Sequence, residues 1–262
     1  MMTYPAVYIL FIGGAADKEP FIWQNIKLPF SEQLTHHSVG ALAKFFSQEL
    51  SNKLSISILS EKSEQIPSYK IDYLGYHEVF FEELQSSVPE QAIVTEPSSE
   101  RYQKIKQHIG KETKVYIVGH SLGGWNGAHL SYILSQLDVD VECLITLDPV
   151  GTGNHEVALM NPLIKKAQIY TNPPLPVAKY WFNIQAHHID LKKKKGSWFI
   201  EDWVAWAGGQ WLITQSYPTV MKQVCEKANL HHKSVCKMFT YRTRLGLSPH
   251  EYLLNAVMDV LK

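Results

Sequence analysis

The chain has 262 residues, of which 45% are hydrophobic and 19% are charged, as is ordinary for a soluble globular enzyme. This length is sufficient for one large α/β domain with a sizeable core. Lys plus Arg and Asp plus Glu balance at 25 each, so the net charge does not point to a nucleic-acid partner. No apolar run approaches the ~20 residues of a membrane-spanning helix.

The N-terminal stretch MMTYPAVYILFIGGAADKE superficially looks like a secretory signal peptide. It lacks the basic segment with which such peptides begin, and Pro5 interrupts it early. We therefore interpret it as the first strand of the fold and expect a protein that is cytoplasmic as synthesised. Export by a route that needs no signal peptide stays open.

Strands alternate with helices along the chain, which predicts an α/β fold with a mostly parallel sheet flanked by helices. The last helix begins at a capping box, with Ser248 as the cap, Pro249 in the first turn and Glu251 three residues after the cap. In chain order, we predict a strand at 6–14, a helix at 37–54, a strand at either 55–60 or 70–76, a helix at 99–109, a strand at 114–119, a helix at 121–137, strands at 139–148 and 180–186, and the last helix at 248–262.

Residues 218–227 favour two interpretations. The spacing of Val220, Met221, Val224 and Cys225 is that of a helix, whereas the predicted fold needs a strand at this point. The sequence shows no repeat and no low-complexity linker, so we predict a single domain over residues 1–262. Within it, we predict a lid or substrate-binding insertion around residues 187–217.

The cysteines indicate neither a disulfide framework nor a metal site. Cys143, Cys225 and Cys236 are an odd number, and Cys143 lies in an apolar run typical of a buried strand. Cys225 and Cys236 flank a pair of histidines at a spacing that matches no common zinc site. Whether these two cysteines pair stays open, and we expect no metal ion and no other cofactor.

Residues 119–123, Gly-His-Ser-Leu-Gly, fit the pattern G-x-S-x-G between a predicted strand and a predicted helix. In this pattern the serine lies on a strained turn, and the glycines are needed because neighbouring elements leave no room for side chains. The turn exposes the hydroxyl at a helix N-terminus, whose free N–H groups favour negative charge. We therefore predict that Ser121 is a catalytic nucleophile; the alternative is a glycine-rich turn with an incidental serine.

A serine nucleophile needs a base that takes its proton and an acid that orients the base. In this motif the acid and then the histidine follow the serine along the chain. Asp148 ends an apolar strand one helix and one strand after Ser121, which predicts that both lie at one edge of the sheet. The rival acids are Asp190, Glu201 and Asp202.

The late part of the chain supplies the base. His231 and His232 lie on a loop before a segment with helical apolar spacing, and the fold requires its histidine on such a loop. We predict His232 as the base, with His231 as the alternative. His120 belongs to the nucleophile turn, where we expect it to pack or to form a structural hydrogen bond.

The motifs GHSLGG and TLDPVG resemble those of lipases and esterases of the α/β-hydrolase superfamily. The resemblance covers most of the chain and is strongest at residues 113–151. It implies an oxyanion hole formed by the N–H of Leu122 and a second donor in the loop after the first strand, at Gly14 or Ala15. Lipases usually carry His-Gly in that loop, where this chain has Ile12, Gly13 and Gly14. The chain is also similar to bacterial lipase effectors delivered by type VI secretion.

The stretch around residues 187–217 bears on the substrate. Four lysines at 192–195 precede a group of tryptophans, of which Trp203 and Trp206 are our candidates for substrate binding. A basic run beside aromatic residues is typical of transient contact with an anionic lipid surface. The alternative is a solvated loop next to a Trp-rich core helix. We expect an acyl ester or lipid as the partner, and no nucleic acid.

The sequence thus predicts a serine hydrolase that cleaves carboxylic esters of acyl lipids or phospholipids through an acyl-enzyme intermediate. A thioesterase or acyltransferase would use the same three residues, and a comparison of thioester with oxygen-ester turnover would distinguish it. A non-catalytic, hydrolase-like binding protein is the third alternative. The presence of Ser, Asp and His in the required order speaks against it.

Overall fold

The computed structural model describes residues 4–15, 17–18, 38–61, 68–85, 94–152, 167–187, 209–211, 213 and 215–262, with the backbone alone for residues 58–61. Its centre is a six-stranded sheet in which all neighbouring strands are parallel. The strands are β1 (Val7–Gly13), β2 (Tyr69–Gly75), β3 (Lys114–His120), β4 (Val141–Leu147), β5 (Ala178–Ala186) and β6 (Val220–Ala228), in the spatial order β2-β1-β3-β4-β5-β6.

Helices cover both faces of the sheet, which confirms the predicted α/β fold class. Among the described residues the helices are α1 (Ser38–Glu61), α2 (Glu100–Lys106), α3 (Leu122–Gln136), α4 (Val235–Phe239) and α5 (Pro249–Leu261), with short 3-10 helices at Tyr76–Val79 and Glu82–Leu84. The helix α3 packs on one face, and α1, α4 and α5 pack on the other. The strand β1 is buried on both faces, since Tyr8 belongs to the first apolar cluster and Ile9 to the second. The sequence of a strand that is buried on both faces is a continuous run of apolar residues, as it is in β1.

The second strand is Tyr69–Gly75, so the alternative at residues 55–60 is wrong. Those residues continue α1, where Ser55 Oγ donates to Ser51 O at 2.8 Å in the i to i−4 pattern of helical serines. Each residue added to a helix gains one backbone hydrogen bond, and Tyr69–Gly75 occupies the place beside β1. Local alternation of Ser with Ile and Leu was therefore not sufficient to form a strand.

The segment 218–227 contributes the edge strand β6, as the fold required. Its apparent helical spacing has a simple cause. Val220, Val224 and Ala228 are all buried, and a spacing of four places residues on one face of a strand as well as on one side of a helix. Met221 between them is 82% exposed, which shows the alternation of a strand.

The capping box predicted for the last helix is present. Ser248 Oγ accepts from Glu251 N at 3.1 Å, and Ser248 N donates to Glu251 Oε2 at 2.8 Å. The helix predicted at 99–109 is shorter and ends at Lys106. Among the described residues, no helix combines the length and the apolar character needed to cross a membrane.

Candidate active site

Ser121 lies at the junction of β3 and α3, where the chain leaves the carboxyl edge of the sheet. Its backbone has φ 55° and ψ −128°, a conformation that residues other than glycine rarely adopt. Contacts on both sides maintain this strain: Ser121 N donates to Leu147 O at 3.1 Å, and Ser121 O accepts from Val150 N at 3.1 Å. The strained strand-to-helix turn expected of an α/β-hydrolase is therefore present.

The glycines of the motif lie where neighbouring backbone leaves no space for a side chain. A Cβ on Gly119 would be 2.3 Å from Gly123 O, and a Cβ on Gly123 would be 2.3 Å from Ile12 O at the end of β1. Both distances are far shorter than any van der Waals contact, so a side chain at either position would force α3 away from the sheet. The steric reason that the motif implied is confirmed.

Asp148 follows β4 directly and lies at the same edge of the sheet as Ser121. Its N–H donates to Ile184 O on β5 at 2.7 Å, and its φ of 44° is the second strained backbone angle at the site. The side chain is 1% exposed, and its Oδ1 accepts from Ala186 N at 3.0 Å. This contact orients a buried carboxylate at the end of the strand.

His232 lies on the loop between β6 and α4, and its ring joins the other two side chains. His232 Nδ1 is 2.6 Å from Asp148 Oδ2, and His232 Nε2 is 3.0 Å from Ser121 Oγ. A carboxylate only accepts, so Nδ1 carries the proton and Nε2 is left to accept from the serine hydroxyl. The structure thus brings Ser121, His232 and Asp148 together, with His232 rather than the alternative His231 between the other two.

His120 connects the nucleophile turn to the loop that carries His232. Its Nε2–H donates to the backbone carbonyl of His232 at 2.8 Å, and the two imidazole rings lie 4.6 Å apart. Burial, reinforced by the neighbouring His232, holds the pKa of His120 well below 6.5, so this ring is neutral near pH 7. The expected structural hydrogen bond is confirmed.

The residues expected to form the oxyanion hole border Ser121. The helix α3 begins at Leu122, and the first four N–H groups of a helix have no acceptor within it. Gly14 lies against the nucleophile, because a Cβ there would be 2.5 Å from Ser121 Cβ and 3.1 Å from Ser121 Oγ. Ala15 follows it and is half-buried. Donation by these groups to an oxyanion stays a prediction.

Asp17, to which no sequence motif pointed, anchors the loop that contains Gly14. Both of its carboxylate oxygens lie 3.2 Å from Val39 N at the start of α1, and Oδ2 also accepts from the Tyr73 hydroxyl at 2.9 Å. An acidic group at a helix N-terminus is favourable, because it accepts from an N–H that the helix leaves unpaired. The position of the loop relative to Ser121 is therefore fixed from two further elements, α1 and β2.

Gln210, to which no sequence motif pointed either, contacts Asp148. Gln210 Nε2 donates to Asp148 Oδ1 and to Ala186 O, the latter at 2.9 Å. The segment 209–211 also pairs with residues that follow Asp148, through the antiparallel bridge between Val150 and Gln210. No local pattern marks this glutamine, because its contact with Asp148 arises only in the folded chain.

Several predicted residues lie outside the part of the chain that the structure describes. They are Asp190, Glu201, Asp202, Trp203, Trp206 and the four lysines at 192–195. Trp211 is described and is buried against Trp181, with the rings stacked at 5.4 Å. Within the described ranges, no group of three His, Cys, Asp or Glu side chains is placed to hold a metal ion.

No protein-family model matches this chain, and no curated protein matches it. Two solved structures show partial similarity to it. The NocB thioesterase domain from the nocardicin cluster aligns with 98% of this chain and 95% of its own, at 10% identity and a TM-score of 0.38. The Vlm2 thioesterase domain bound with a dodecadepsipeptide aligns with 93% of this chain and 97% of its own, at 13% identity and a TM-score of 0.30.

Proposed function

We propose that the protein is a serine hydrolase that cleaves carboxylic ester bonds, with Ser121 as nucleophile, His232 as base and Asp148 as acid. One observation carries the proposal: a continuous pair of hydrogen bonds, 3.0 Å from Ser121 Oγ to His232 Nε2 and 2.6 Å from His232 Nδ1 to Asp148 Oδ2. This arrangement supplies each of the functions that nucleophilic catalysis by a hydroxyl requires.

In the first half of the reaction, Ser121 Oγ attacks the carbonyl carbon of the ester while His232 Nε2 takes the hydroxyl proton. Asp148 stabilises the imidazolium that results and keeps its ring oriented. When the tetrahedral intermediate collapses, the bond to the alcohol oxygen breaks and that oxygen takes the proton from His232. The acyl group stays on Ser121, and water then repeats the sequence and releases the carboxylic acid.

The tetrahedral intermediate carries a negative oxygen, for which we propose the N–H of Leu122 and an N–H at Gly14 or Ala15 as donors. The position of Leu122 at the start of α3 supports the first donor, and the close approach of Gly14 to Ser121 supports the second. Removal of one such donor typically lowers kcat by ~10²–10³-fold. These donors therefore account for a substantial part of the expected rate acceleration.

The test of this function is Ser121→Ala, with Ser135→Ala as the matched control. Ser135 lies on the same helix and its Oγ donates to Tyr132 O at 2.8 Å, away from the site. We expect Ser121→Ala to abolish both ester hydrolysis and labelling by a fluorophosphonate, with unchanged circular dichroism. The control should retain both. Full labelling of Ser121→Ala would place the nucleophile elsewhere and end the proposal.

The substrates that we propose are acyl lipids or phospholipids, and the lysine run at 192–195 supports a contact with anionic lipid. Replacement of the four lysines by Gln should weaken binding to anionic vesicles at low salt and leave hydrolysis of a short soluble ester nearly unchanged. Vesicle co-sedimentation at low and high salt measures the first effect. If the wild-type protein does not bind anionic vesicles at low salt, the result would indicate a soluble substrate. Turnover of an oxygen ester and a thioester with the same acyl group then separates esterase from thioesterase.

A further inference from the structure

Gln210 contacts the oxygen of Asp148 that His232 does not use. Gln210 Nε2 donates to Asp148 Oδ1 and, at 2.9 Å, to Ala186 O, while Asp148 Oδ2 faces His232. Both partners of the amide can only accept, so the nitrogen of the amide must point toward them and both of its N–H groups are used. The orientation of the Gln210 side chain is therefore determined by its surroundings.

The backbone around Gln210 is itself held in place. Gly151 N donates to Gly209 O at 3.1 Å, and Trp211 N donates to Pro149 O at 2.9 Å. Trp211 is 4% exposed and packs against Trp125 and Trp181 at ring distances of 5.6 and 5.4 Å. Because the backbone of this segment is already fixed, the Gln210 side chain loses little conformational entropy when its amide binds Asp148.

The carboxylate of Asp148 is 1% exposed and depends on protein donors in place of water. Its Oδ1 has two of them, Ala186 N–H and the Gln210 amide, and its Oδ2 has His232 Nδ1. We propose that Gln210 is a positioning residue. Its amide fixes the plane of the Asp148 carboxylate, and together with His232 it compensates the negative charge of that carboxylate. This inference rests on the proposed function only for its effect on rate; the contact with Asp148 stands by itself.

Removal of the amide changes the balance of charge in a defined direction. Without Gln210, the buried carboxylate loses one N–H donor and interacts more strongly with a protonated His232. The negative charge of Asp148 is then less compensated, which favours the imidazolium form of His232. The acid limb of the kcat/KM profile, which reports the base in the free enzyme, should therefore move to higher pH.

The experiment compares Gln210→Leu with Gln185→Leu as the matched control. Gln185 is 2% exposed and donates to Trp211 O at 2.7 Å, so it holds the same segment without serving as a donor to Asp148 Oδ1. The readouts are an NMR titration of His232 in the full chain without substrate, and kcat and KM for a soluble ester. We expect Gln210→Leu to lower kcat by ~10- to 100-fold, the scale of a lost hydrogen bond to a charged group, with KM nearly unchanged.

An upward shift of the His232 titration in Gln210→Leu, and not in Gln185→Leu, would support the inference. Equal shifts in both variants, or no shift in either, would overturn it and leave Gln210 a purely structural residue. Gln210→Met is similar in length and volume but has no N–H donor, and it serves if Gln210→Leu fails to fold; the same upward shift is expected of it. A shift in a protein that hydrolyses no ester would support the inference while refuting the proposed function.

Discussion

Substitution of Gly14 by Ala tests the geometry of the site most directly. The Cβ of Gly14→Ala would start 2.5 Å from Ser121 Cβ, 3.0 Å from His120 O and 3.1 Å from Ser121 Oγ. Gly14 does not have a positive φ, so the backbone tolerates alanine and the effect is steric. Carbon atoms in contact prefer about 3.5–4.0 Å, so the loop and Ser121 must separate by about 1 Å.

A displacement of this size has a calculable effect on rate. Misplacement of a reacting group by about 1 Å can lower kcat by ~10²-fold. Overpacking a well-packed site typically costs ~1–3 kcal/mol of unfolding free energy, which most domains survive. We therefore expect Gly14→Ala to fold, to lose roughly two decades in kcat and to react with a fluorophosphonate more slowly by a similar factor.

Gly127→Ala is the control, because it adds the same methyl group on α3, away from the Ser121 hydroxyl. Its Cβ would lie 3.2 Å from the side-chain atoms Ile117 Cγ2 and Ile12 Cδ1, which can yield, and alanine favours the helix. We expect its kcat to stay within about twofold of wild type. Steady-state kinetics measure kcat, fluorophosphonate labelling measures the reactivity of Ser121, and urea unfolding measures the free energy of unfolding. Wild-type kcat and labelling in Gly14→Ala would refute the close approach of this loop to Ser121.

Three further predictions concern the histidines and the acid. His232→Ala should lower kcat by roughly three to six decades whereas His231→Ala should have a much smaller effect, and steady-state kinetics showing the reverse would move the base by one residue. Asp148→Asn should cost about four decades in kcat because the amide favours the wrong tautomer of His232, and near-normal turnover would exclude Asp148 as the acid. Burial lowers the pKa of His129 from 6.5 to about 3, so below pH 6.5 the unfolded chain binds a proton that the native chain does not. Stability therefore falls as the pH falls, by about 2 kcal/mol from pH 7 to pH 5 for this group alone. His129→Gln should remove that part of the slope in urea unfolding, and an unchanged slope would contradict the burial argument.

Features that depend on short-range sequence could be predicted. The turn around Ser121 needs glycines within two residues, and the capping box of Ser248 and Glu251 needs a spacing of three. The place of Asp148 also follows from the sequence, because parallel strands end at the same edge of a sheet. These features follow from neighbours along the chain or from a general rule of topology.

Features that depend on contacts between distant segments could not be predicted. Gln210 meets Asp148 across 62 positions, and Asp17 meets Tyr73 across 56. Neither residue belongs to a pattern, since a single polar side chain near a turn has many potential partners in an unfolded chain. Residues 55–60 show the reverse case, in which a local pattern typical of a strand was overridden by the helix that precedes it.

The order in which the chain is synthesised determines when the three side chains of the site can come together. The two hydrogen bonds of His232 span 84 positions to Asp148 and 111 positions to Ser121. At a synthesis rate of ~5–20 residues per second, His232 is added about 4 to 17 s after Asp148. During that interval the growing chain contains Ser121 and Asp148 but not yet His232. The pair of hydrogen bonds through His232 can therefore form only once β6 and the loop that follows it have been added.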